Sequence, residues 1–134
     1  MPGLKYESWD VPFDKSLEKC RIHVSDHLAT TFLEGLAVNK PTILFWDKNI
    51  HRLRPEAEPY YDELYSAGIL YHSPEEAAAA VSNVYDDIES WWNDKARQKV
   101  VSRFCERFAR KSSNPAEELN RELERILELA NDRK

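Results

Sequence analysis

His27, Thr30, Thr31 and Glu34 are spaced so that one short segment could hold a phosphorylated ligand. The run Val24-Ser25-Asp26-His27-Leu28-Ala29 reads as a strand end followed by small and polar residues, and Thr30 opens a helical pattern. A helix entered in this way points its free backbone N–H groups and its positive dipole end at the carboxyl end of the sheet, where open α/β sheets bind ligands. Thr30 and Thr31 could donate to phosphate oxygens, cap the helix, or do both. Glu34 falls about one turn into the same helix. Its carboxylate could accept two hydrogen bonds from a ribose diol, or stand in solvent as an ordinary helix former. His27 could orient a phosphate or act as an acid, although a His at a strand end more commonly bonds backbone. Arg52 and Arg54, in a polar loop further on, could clamp a phosphate or serve as surface ion-pair material.

Other chemistries find less support. His51 and His72 lack partner ligands at metal spacing, so no metal site and no cofactor is expected. Cys20 and Cys105 match neither a metal pattern nor a CxxC motif and read as reduced, buried thiols among apolar residues. Trp91 and Trp92 could stack a base, but a Trp pair between two helices is more commonly core. Ser25-Asp26-His27 contains the residue types of a catalytic triad, yet sequence neighbours do not make triad geometry. GxSxG, Walker, HExxH and GxGxxG patterns do not occur.

The elements that must position these residues follow from periodicity. Residues 1–19 form an irregular lead-in with a short helix at 15–19, and Trp9 and Phe13 are candidates to cover a sheet edge. Residues 20–72 read as a βαβαβ core: strand 20–24, helix 30–38, strand 42–46, helix 59–67 and strand 69–71. Thr42-Ile43-Leu44-Phe45-Trp46 has almost no polar alternation, as in a central parallel strand covered on both faces. Asn39 and Gly68 are the helix stops, and Pro41 blocks continuation of the first helix. Residues 73–134 read as a helical tail. Ser73-Pro74-Glu75-Glu76 opens its first helix by capping-box logic, which Asn114-Pro115-Ala116-Glu117 repeats. Ala77, Ala80, Val81, Val84 and Ile88, then Val100, Val101, Phe104 and Phe108, are the expected buried faces, and Leu119, Leu123, Ile126, Leu127 and Ala130 form a stripe on the last helix. The expected fold is therefore α/β: a small Rossmann-like three-layer domain with about three parallel strands flanked by helices and a helical C-terminus.

Bulk properties narrow the function classes. The chain has 134 residues, one domain's worth, with 42% hydrophobic and 32% charged residues. Its net charge of -5 argues against nucleic acid as a partner. The densest basic run, Arg97, Lys99, Arg103, Arg107, Arg110 and Lys111, reads as a solvated helix face. The sequence shows neither a signal-type apolar segment nor a transmembrane segment, so a cytoplasmic location is expected.

The ordered set His27, Thr30, Thr31, Glu34, Leu36 and Pro41, followed by an apolar strand, resembles the helix motif of GT-B glycosyltransferases. The downstream order is similar too: a helix closed by Gly68, the strand Ile69-Leu70-Tyr71, then Ser73-Pro74-Glu75-Glu76-Ala77 and Asp86-Asp87-Ile88-Glu89-Ser90-Trp91-Trp92. This combination resembles the C-terminal part of bacterial transferases of surface-polysaccharide assembly, over roughly residues 20–110. In that family the threonine region contacts the donor diphosphate and the glutamate binds the ribose hydroxyls. The resemblance implies a transferase fragment or subunit that binds a nucleotide-activated sugar or polyol donor and is inactive alone. A partner, either an acceptor-domain protein or a second copy of the chain, would complete it. Two departures bear on this. Leu28 and Ala29 stand where many members have glycines, and only part of one of the two GT-B domains is present. The competing expectation is a non-catalytic interaction domain that keeps the scaffold and docks a partner through its C-terminal helices.

Overall fold

The computed structural model describes residues 3–50 and 52–131. Three strands, β1 (His23–Ser25), β2 (Thr42–Phe45) and β3 (Leu70–Tyr71), form one parallel sheet in the order β1-β2-β3. His23 pairs with Thr42, Val24 with Ile43 and Ser25 with Leu44, while Leu44 pairs with Leu70 and Phe45 with Tyr71. The helices are α1 (Phe13–Lys19), α2 (Thr30–Ala37), α3 (Glu58–Ser66), α4 (Pro74–Val84), α5 (Ile88–Trp92), α6 (Lys95–Phe108) and α7 (Pro115–Asn131), with a 3-10 turn at Tyr85–Asp87 between α4 and α5.

Both crossovers step the same way across the sheet. Right-handed connections then place α2 and α3 on one face. Leu44, Leu70 and Trp46 meet them there, with Phe32 and Leu36 of α2, Tyr61 and Leu64 of α3, and Val101 and Phe104 of α6 closing the layer. The opposite face of β2 carries Ile43 and Phe45 and packs on Ala77, Ala80, Val81 and Val84 of α4. Alternation along one short strand thus feeds two cores, which is why Thr42-Ile43-Leu44 is buried throughout.

The stops of α2 and α3 share a geometry. Asn39 sits at φ 57°. Its N–H donates to the Leu36 carbonyl and that of Lys40 to the Gly35 carbonyl, both at 2.9 Å. Gly68 sits at φ 69°. The Gly68 and Ile69 N–H groups reach the Tyr65 and Leu64 carbonyls at 3.0 and 2.9 Å. These paired bonds form a Schellman motif at each helix end and turn the chain straight into the next strand. At the start of α4 the Ser73 hydroxyl accepts from the Glu76 N–H, while the Glu76 carboxylate accepts from the His72 N–H.

Several expectations change. The first strand begins at His23, because α1 runs from Phe13 and Cys20 closes it. Phe13 packs edge-on against His23 at 5.6 Å and Leu17 is buried, but Trp9 is fully exposed and covers no sheet edge. Cys20 and Cys105 are free and only half-buried. Arg97 does not belong to a solvated face. Its guanidinium lies 4.7 Å from the Trp91 ring and donates to the Ala67 and Trp91 carbonyls. Arg103 and Arg110 pair with Glu63 and Glu118.

Candidate functional site

Parallel strands all end at one edge of the sheet, so the loops after β1, β2 and β3 gather there. In the first loop the Ser25 hydroxyl and the Ala29 N–H both donate to the His27 carbonyl, at 3.2 and 3.1 Å. This local turn delivers Ala29, with an extended backbone, as the N-cap of α2. No side chain caps the helix, so Thr30 and Thr31 are its first residues and not its caps. The capping role open to them in the sequence is therefore not taken. The amides of the first turn of α2 are the orphan donors that any helix start leaves.

Thr30 is exposed and Thr31 half-exposed. Glu34 is exposed as well, one turn on, because Phe32, Gly35 and Leu36 take the buried side of α2. Gly35 has a specific reason to be glycine. A Cβ there would come within 3.1 Å of both His23 Cδ2 and Thr42 Oγ1, so α2 lies so close to the sheet that a methyl group would fit only if these neighbours gave by a few tenths of an ångström. His27 bonds a neighbouring side chain where the sequence suggested backbone. Its Nδ1 lies 2.5 Å from Asp26 Oδ1. The bond from His27 holds the Asp26 carboxyl below its ordinary range. Both side chains are more than half exposed.

The second loop builds a different feature. Trp46, Lys48, Arg52 and Leu53 from that loop join Glu58, Tyr61 and Asp62 of α3, with Leu70 and His72 at the end of β3. Together they line a cavity of about 370 Å³. Thr30, Thr31 and Glu34 are not among its lining residues. Trp46 and Tyr61 are buried and meet edge-on at 5.5 Å. Burial and then the Lys48 ammonium push the His72 imidazole below its ordinary pKa. His72 Nδ1 is buried with no well-formed hydrogen bond, the Trp46 backbone giving it only a weak pull.

The sequence-predicted residues thus divide. His27, Thr30, Thr31 and Glu34 stay on one strand-to-helix segment, while Arg52 goes to the cavity. Arg54 is exposed, and its carbonyl accepts from the Ala57 and Glu58 N–H groups just before α3. Lys48, Asp62, Tyr61 and His72 were not singled out as ligand-binding residues, since their convergence depends on three separate segments. Trp92 is core, and its indole N–H donates to the Asn39 carbonyl and side-chain oxygen at 2.9 and 3.0 Å. His51, considered above for metal binding, lies outside the described residues. Among the described residues no cluster of three or more His, Cys, Asp or Glu side chains is placed to hold a metal ion. Nor is any helix there long and apolar enough to cross a membrane.

A narrow parallel sheet between helical layers, with polar loops collected at its carboxyl edge, defines an α/β domain. The family model described as LIC12162 family transferase matches residues 1–123, and the chain belongs to this family. No curated protein and no solved structure matches it significantly.

Proposed function

We propose that this chain is the donor-binding part of a GT-B-type glycosyltransferase. It takes a nucleotide-activated sugar or polyol, serves surface-polysaccharide synthesis and is completed by an acceptor half on a partner. One observation carries the reading. Helix α2 starts at the carboxyl edge of the parallel sheet without a side-chain cap, and the exposed Glu34 carboxylate stands one turn along it. Phosphate oxygens would accept from the amides of the first turn and from the Thr30 and Thr31 hydroxyls. Glu34 would accept from both ribose hydroxyls, and the negative charge of the departing nucleotide would be stabilised at the helix start. Membership in a transferase family supports the reaction class.

The test is an amide-shift titration with CMP, CDP, UDP and GDP. At least one nucleotide is expected to give saturable shifts at Thr30, Thr31 and Glu34. Glu34→Ala should weaken the ribonucleotide by about tenfold or more, and should abolish its advantage over the 2′-deoxy form. Silence at about 10 mM of every nucleotide would refute the reading.

An exposed apolar stripe favours a second reading, an interaction domain without donor binding. Leu119, Leu123, Ile126 and Leu127 on α7 are 49–64% exposed. A stripe of this kind is characteristic of an unmet partner surface. The same titration separates the two readings, since an interaction domain would leave the α2 amides unmoved.

A further inference from the structure

We propose that the cavity at the carboxyl ends of β2 and β3 binds one neutral sugar ring, at a site separate from the start of α2. The cavity falls within the size range of small-ligand sites. Its apolar floor is firm, because Trp46, Tyr61 and Leu70 belong to the main core. Around that floor stand two cations, Lys48 and Arg52, and two carboxylates, Glu58 and Asp62. No hydrogen bond or ion pair joins any of these four side chains to another described residue. Lys48 has only a contact with the Tyr65 ring, at 5.8 Å.

Charge selects the ligand class. Lys48 and Arg52 balance Glu58 and Asp62, so the lining has no net formal charge to attract an anion. A free phosphate or a diphosphate entering beside Lys48 and Arg52 would also face Glu58 and Asp62. A sugar ring suits the mixture. Its hydroxyls donate to carboxylates and accept from ammonium and guanidinium groups, and its C–H face covers apolar floor. His72 Nδ1 supplies one more polar atom lacking a good partner.

Aromatic geometry argues against a nucleobase. Trp46 meets both Tyr61 and His72 at 82°, which among the described residues leaves no pair of parallel faces around it for a flat base to enter. Among the described residues the one parallel pair at this end, Tyr65 and His72, is already closed at 4.8 Å. The assignment does not depend on nucleotide binding at α2, and either can hold without the other.

The experiment titrates the whole chain, without nucleotide, with the methyl glycosides of glucose, galactose, mannose and N-acetylglucosamine. Inorganic phosphate is titrated in parallel. Amide and indole shifts are read at Trp46, Asp62 and His72. At least one glycoside is expected to saturate these signals with a Kd of about 1–10 mM. Asp62→Asn, at an exposed position, should raise that Kd by about tenfold while leaving the α2 amides unchanged. Three results would overturn the proposal: no saturable shift with any of the four glycosides at about 50 mM, saturation by phosphate alone, or a glycoside Kd indifferent to Asp62→Asn.

Discussion

Replacing Gly35 by alanine is expected to destabilise the protein although alanine is the better helix former. The substitution gains about 1 kcal/mol of helix propensity. Against that, the new methyl group meets His23 Cδ2 and Thr42 Oγ1 at 3.1 Å each. Neither neighbour yields easily. The Thr42 hydroxyl donates to the Lys40 carbonyl at 2.8 Å on a fully buried residue, and the His23 ring is backed by Phe13. Overpacking at so constrained a position costs about 1–3 kcal/mol, which leaves a net loss of about 0–2 kcal/mol once propensity is subtracted. For a domain of this size that lowers the Tm by up to about 7 °C. Thermal unfolding followed by circular dichroism measures it, with exposed Glu34→Ala as a control expected to stay within about 0.5 kcal/mol. Adding Thr42→Ala to Gly35→Ala should cost less than the sum of the two single changes, because it removes one of the two contacts. A Tm that rises in Gly35→Ala would show that α2 can move off the sheet at no cost, and the argument for a fixed position of its N-terminus would fail.

Trp92→Phe removes the indole donor that serves Asn39 and leaves a void in the core, so a loss of about 2–4 kcal/mol is expected in urea unfolding. Acid should weaken the fold before any carboxylate titrates. Burial holds the His23 and His72 imidazoles below their ordinary pKa. The unfolded chain therefore takes up protons first as pH falls through about 6.5, so stability is full above that point and declines below it. Melting curves between about pH 7.5 and 5 should show this decline, and His23→Gln should make it shallower; an unchanged slope would refute the assignment to His23. The depressed Asp26 carboxyl acts in the same direction only at lower pH, where stability present above about pH 4 is lost as it protonates.

Local chemistry made much of the scaffold legible in the sequence. The apolar run at Thr42 announced a doubly covered parallel strand, Asn39 and Gly68 marked the helix stops, and Ser73-Pro74 marked a helix start. Each signal depends on a backbone conformation or a side-chain period set within a few residues, so no distant contact is needed to read it. The exposed placement of Glu34 follows from the same period, since Phe32, Gly35 and Leu36 claim the buried face.

Tertiary structure decided which side chains meet. Periodicity could not show that Ala29 takes the cap position ahead of two threonines, because the turn after β1 fixes where α2 begins. It could not show that Asp26 holds the His27 ring, or that Arg97 turns inward to carbonyls of Ala67 and Trp91. The cavity joins residues near 46–53, 58–62 and 70–72, which come together only because two crossovers bring their ends to one edge of the sheet. Short-range preferences are written along the chain, whereas a site made of three loops exists only after parallel pairing and core packing have placed them side by side.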